Sequence, residues 1–170
     1  MTGGAGCVIL EVLAFPAFWR CEKGVTPSRW RTVEHTADLA IEVEAHSLDE
    51  LFVTGALGMM GVLLGAEDGT GPWDSGSPAD WRELTFEAPD REALFVEWLR
   101  ELLYIQVSEQ LLFTVAEIAE LAETKMVARV AFRPPSNELE VERELKGVTY
   151  HDLEVARRGD RWYARIVFDL

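Results

Sequence analysis

A chain of 170 residues is long enough for one domain with a substantial buried core. Its 30 Asp plus Glu against 16 Lys plus Arg leave a formal charge of −14, which argues against a broad phosphate-binding surface, because nucleic-acid binders gather positive charge. The same balance suits a cation or a basic protein partner, or simply keeps a cytoplasmic protein in solution.

Both cysteines, Cys7 and Cys21, lie near the N-terminus. Two thiols make neither a disulfide framework nor a zinc site by themselves, and a reducing compartment suits them. The apolar run "CVILEVLAFPAF" (7–18) is too short to span a bilayer, and Glu11 and Pro16 interrupt it. No basic residue precedes it, as a signal peptide requires. Residues 1–27 therefore read as an N-terminal extension to a single domain over 28–170, with no membrane association expected.

Leu39, Ile41 and Val43 alternate with Ala40, Glu42 and Glu44, the pattern of a half-buried strand. Asp38 falls on the side of the glutamates. "SLDE" (47–50) has the spacing of a capping box and opens a helix that runs through Leu51, Leu57 and Met60. That helix also holds Gly55, Gly58 and Gly61, each costing roughly 1 kcal/mol against Ala. Residues 65–80 form an acidic loop without the D-x-D-x-D-G spacing of a calcium loop. A short strand over 81–88 precedes a helix over 91–106, whose apolar stripe is Leu94, Phe95, Trp98, Leu99, Leu102 and Leu103, with Glu97 and Glu101 elsewhere on its surface. Strands follow at 111–118 and 125–132, then a hairpin of 145–155 and 161–170 turning at Gly159. In its last arm Ile166 and Phe168 share one face, and Arg165, Val167 and Asp169 the other. Six or seven strands with short connections and two helices predict an α+β two-layer sandwich, mostly antiparallel, with both helices on one face of the sheet.

Three polar constellations carry chemistry: "EHTAD" (34–38), "KGVTYHD" (146–152) and the tail, Asp169 and Leu170. Calcium and magnesium want carboxylate and carbonyl oxygens. Asp38 and Asp169 both face away from the apolar set, and the end group of Leu170 adds an oxygen if the first and last strands pair. Solvated acids at strand ends are the alternative, since spacing alone cannot join residue 38 to residue 169. His35 and His151 have the chemistry of a general base or a transition-metal ligand. Strand parity puts His151 with Leu153 and Val155, as a core histidine, and His35 organises its loop. There is no Walker loop, nucleophile elbow or Cys-x-x-Cys, so an enzyme is not expected.

"HTAD" before a strand, "WLRELLYIQ" on the second helix, "LKGVTYHDLEV" and a final "VFDL", in this order over roughly residues 30–170, resemble the archease family. The resemblance implies a non-catalytic activator of an RtcB-type RNA ligase, which joins RNA ends left by tRNA splicing or RNA damage through a guanylylated histidine. Archeases promote guanylylation and turnover and broaden nucleotide use. Carried over residue by residue, the family's metal site is Asp38, Asp169 and Leu170, with Ca2+ expected and Mg2+ or Mn2+ as alternatives. Lys146 and His35 are candidate contacts to nucleotide or ligase. Ala40 stands where the family often has Gly. The expected partner is the ligase, with no strong direct nucleic-acid binding. Two rival readings remain: a general chaperone-like or scaffolding protein in which metal is incidental, and a metal-dependent hydrolase using Asp38, His35 and Asp169.

Overall fold

The computed structural model describes residues 28–34, 38–69, 80–136 and 140–170. The extension 1–27, most of the acidic loop and His35 lie outside these described residues. Ten elements follow one another: β1 (Arg29–Glu34), β2 (Leu39–Ala45), α1 (Leu48–Leu63), β3 (Asp68–Gly69), β4 (Asp80–Glu87), α2 (Arg91–Glu109), β5 (Leu112–Leu121), β6 (Lys125–Arg133), β7 (Gly147–Arg158) and β8 (Arg161–Asp169). Every pairing is antiparallel. The α+β class stands.

The strands divide into two sheets, ordered β3-β1-β2-β8-β7 and β4-β6-β5. Alternation marks a strand but not its neighbours, so the division was not visible in the sequence. "RWRTVE" also proves to be a strand of its own. It pairs with β2 from Arg29 opposite Glu44 to Glu34 opposite Leu39, so "HTAD" belongs to the connection between two paired strands. Trp30 supplies the buried side of β1.

α1 begins as its sequence indicates, with the Ser47 hydroxyl accepting from the Glu50 N–H at 3.2 Å. The reciprocal half differs from a complete capping box: the Glu50 carboxylate accepts from the His46 N–H and the Ser28 hydroxyl. Leu51 to Leu63 are all buried, because the helix packs on β1, β2 and β8 on one side and on α2 and β5 on the other. A helix apolar all round belongs in such a middle position. Two of its glycines now have a reason. A Cβ at Gly55 would stand 2.5 Å from Phe95 Cζ, and one at Gly58 would stand 2.8 Å from Ile41 Cδ1 and 3.0 Å from Trp30 Cγ.

α2 is capped by Asp90, whose carboxylate accepts from the Ala93 N–H at 2.7 Å. Its Trp98 donates Nε1–H to the Phe52 carbonyl at 2.9 Å, satisfying a buried donor. Phe86 and Phe113 meet the Trp98 ring edge-on, with centroids 5.6 and 6.0 Å away. These contacts join the smaller sheet to both helices. Each such side chain, fully buried, stabilises the fold by about 1.5–3 kcal/mol.

The β7–β8 hairpin turns through Gly159 and Asp160, with Gly159 at φ 66°. Gly147–Thr149 pair with Asp169–Val167, and Glu154–Arg158 pair with Arg165–Arg161. Between them Tyr150, His151, Asp152 and Leu153 oppose Ile166 alone, so β7 carries a large bulge. Asp152 there adopts a left-handed φ of 50°.

Candidate metal centre at the ends of the central strands

β2 and β8 are neighbours in the middle of the larger sheet, paired from Ala45 opposite Trp162 to Leu39 opposite Phe168. Phe168 and Ile41 are fully buried on the core side. The ladder ends with Leu39 opposite Phe168; Asp38, in a bend, and Asp169 are the next residues on the two segments. Asp169 lies on the face opposite Phe168, as strand parity requires. Asp38 is half-buried and Asp169 is exposed.

The tail is also held from its other side. Gly147 pairs with Asp169, the Lys146 N–H donates to the Asp169 carbonyl at 2.8 Å, and Lys146 Nζ donates to the Leu170 main-chain oxygen at 2.7 Å. Asp169 is therefore held by the segment that carries Lys146. The sequence presented Lys146 as a contact for nucleotide or ligase; in the folded protein its ammonium engages the chain's own tail.

Further in on the same face lies an ion network around Glu42. Arg31 Nη2 is 2.6 Å and Arg165 Nη1 3.2 Å from its carboxylate. Burial pushes the Glu42 carboxyl up, but hydrogen bonds from Arg31 and Tyr163 and the charges of Arg31 and Arg165 outweigh it and hold its pKa below the ordinary value. Both arginines are engaged there, and Lys146 reaches the tail. No group of three or more His, Cys, Asp or Glu side chains among the described residues is placed to hold a metal. What the strand ends offer is two carboxylates and a main-chain oxygen. These are hard donors, the set that suits calcium or magnesium with water completing the shell. They suit zinc or copper poorly, because no described imidazole or thiolate joins them.

His151 corrects the sequence reading. Its side chain is 63% exposed and stands 3.6 Å from Asp152. The bulge breaks the strand parity on which a core position was inferred. Arg100, which sequence reasoning did not single out, organises this segment. It donates from Nε and Nη2 to the Val148 carbonyl at 3.2 and 3.0 Å, donates to Glu97 at 3.2 Å, and stacks 4.9 Å from the Tyr150 ring centroid. The run Tyr-His-Asp inside an otherwise alternating strand was the available signal.

The fold thus defines a small acidic α+β protein with an acidic residue at the adjoining end of each of two paired central strands. The model of the Archease protein family (MTH1598/TM1083) matches residues 30–170. The chain belongs to the archease family. The archease of Methanosarcina acetivorans is 34% identical over 149 residues, covering 84% of this chain and 96% of that one. The solution structure of Methanobacterium thermoautotrophicum protein 1598 aligns with a TM-score of 0.65 at 26% identity, over 83% of this chain and 98% of that one. A Thermotoga maritima archease, described as a possible chaperone, aligns with a TM-score of 0.52 at 23% identity over 81% of this chain and 94% of that one, a likeness of fold.

Proposed function

We propose that this protein binds a divalent cation, calcium in the first instance, between Asp38, Asp169 and the Leu170 main-chain oxygen, and activates an RtcB-type RNA ligase without catalysing a reaction of its own. The observation that supports the proposal is the β2–β8 register, whose last pair, Leu39 with Phe168, leaves Asp38 and Asp169 as the next residues at the same sheet end. In nucleotidyl transfer a divalent ion neutralises phosphate charge. The chain's own residues supply its position. Phe168 anchors β8 in the core, the β2–β8 ladder fixes the spacing of the two acids, and Lys146 tethers the tail. The site stands at an exposed strand end, open to a partner. No helix among the described residues is long and apolar enough to cross a membrane, and the proposed setting is the cytoplasm.

The test is a calorimetric titration of calcium and magnesium into the full chain, Asp38→Asn, and a version lacking Asp169 and Leu170. A guanylylation assay of the cognate ligase with the same three proteins follows. Loss of binding and of stimulation together supports the proposal. Stimulation undiminished in both variants would leave metal incidental and favour a chaperone-like or scaffolding role.

A further inference from the structure

The outer face of α2 carries more apolar surface than a solvent-facing helix needs. Tyr104 is 64% exposed and Val107 61%. Glu97, Arg100, Glu101, Tyr104 and Val107 recur at spacings of three and four, so they share one face. The β7 bulge brings Tyr150, 51% exposed, against Arg100 at the edge of that face. Both tyrosines are therefore displayed on one side of the molecule, with Arg100 between them. Arg100 also clamps the Val148 carbonyl, so the bulge is fixed to the helix. Exposed tyrosines are typical anchors of protein interfaces.

On the opposite flank of the same helix face lies a cleft of about 260 Å³, lined by Leu84, Thr85, Phe86, Glu97 and Glu101. Its lining is mostly polar, and Glu101, beside a Glu97 that already pairs with Arg100, gives it an acidic side chain that suits the cation at the end of a long side chain. A second copy of this chain is a poor occupant, since two bodies of −14 repel.

From this face we infer that α2 and the β7 bulge form the docking surface for a partner protein, which seats an arginine or lysine in the Glu97–Glu101 cleft and apolar side chains against Tyr104, Val107 and Tyr150. The inference rests on the ligase reading for the identity of that partner. It adds that the ligase is gripped through a surface separate from the acids that hold the cation. Gly147 follows the residue that tethers the tail, and Tyr150 lies three residues further along the same strand. A partner held on this face therefore sits beside the tail site.

The experiment measures binding of the purified cognate RtcB-type ligase to the full chain by calorimetry at low and moderate salt. The comparison proteins are Tyr104→Glu with Tyr150→Glu, Glu97→Lys with Glu101→Lys, and Asp38→Asn. All these positions are exposed or half-buried, and circular dichroism confirms folding before each titration. The expected result is at least tenfold weaker binding for both paired variants, a shallower salt dependence for the lysine pair, and calcium affinity unchanged in both. Wild-type binding with equal affinity in both paired variants would overturn the docking face and leave the ligase reading standing. No binding by the wild-type chain would overturn both. A concentration-dependent dimer dissolved by Tyr104→Glu would assign the face to self-association and overturn the proposal.

Discussion

Gly58→Ala probes whether α1 lies on the central strands as closely as the structure requires. An added Cβ would stand 2.8 Å from Ile41 Cδ1, 3.0 Å from Trp30 Cγ and 3.2 Å from Trp30 Cβ. The isoleucine methyl can rotate away. The buried Trp30 cannot, since its Cβ and Cγ sit at the root of the side chain. Overpacking a core costs about 1–3 kcal/mol, while replacing Gly by Ala in a helix interior returns about 1 kcal/mol. The balance is a loss of up to about 2 kcal/mol. At about 3 °C per kcal/mol for a domain of this size, the melting temperature falls by up to about 6 °C. Gly147→Ala is the matched control. Nothing lies within 4 Å of its added Cβ, and an unstrained Gly-to-Ala change stabilises by about 0.4–1 kcal/mol through the unfolded chain. Thermal melts with urea midpoints on both variants separate packing from propensity. A Gly58→Ala protein melting at or above wild type would refute the close approach.

Lys146→Ala removes the ammonium that competes for the Leu170 oxygen, so calcium should bind more tightly, by up to about fivefold, the factor that roughly 1 kcal/mol of an exposed charge pair represents; weaker binding by calorimetry would make the lysine a support for the ion. Arg100→Ala leaves the Val148 carbonyl short of two donors and should cost about 1–3 kcal/mol, with faster amide exchange confined to residues 148–154; uniform exchange changes would count against a local clamp. Glu42 has a depressed folded pKa, so its stabilisation is complete above the ordinary carboxyl value of 4.5 and lost as pH falls through its lower folded value. Glu42→Gln should therefore destabilise at pH 7 and flatten the acid limb of a stability–pH profile; parallel profiles for the two proteins would exclude it.

Local signals were legible where one element decides them. The Ser47 cap, the start of the second helix at 91 and the facing of Ile166, Phe168 and Asp169 follow from spacing alone, because each depends on residues a few positions apart. The reason for Gly58 was not legible, since it lies in Trp30 and Ile41 on two other strands. Membership of two sheets was hidden for the same reason. His151 misled because a period of two holds only while the ladder is continuous, and the polar Tyr150–Asp152 run interrupts it. At the strand ends the oxygen chemistry of Asp38 and Asp169 could be named from their types. Their juxtaposition depends on β2 pairing with β8, more than 120 positions later, and that expectation came from the family resemblance.

The β2–β8 ladder has a consequence for how the chain is made. β8 follows every other described element in chain order, yet it occupies the middle of the larger sheet, between β2 and β7. Until it emerges, β1 and β2 end in an unpaired edge, and α1 lacks part of the floor that buries it. Such a nascent chain displays an apolar helix and an open strand edge together, a combination prone to association. Productive folding is then limited by a long-range closure, which contact order makes slow. The step that closes the sheet also fixes where Asp169 stands, so under the proposed function a calcium titration would report on completion of the fold.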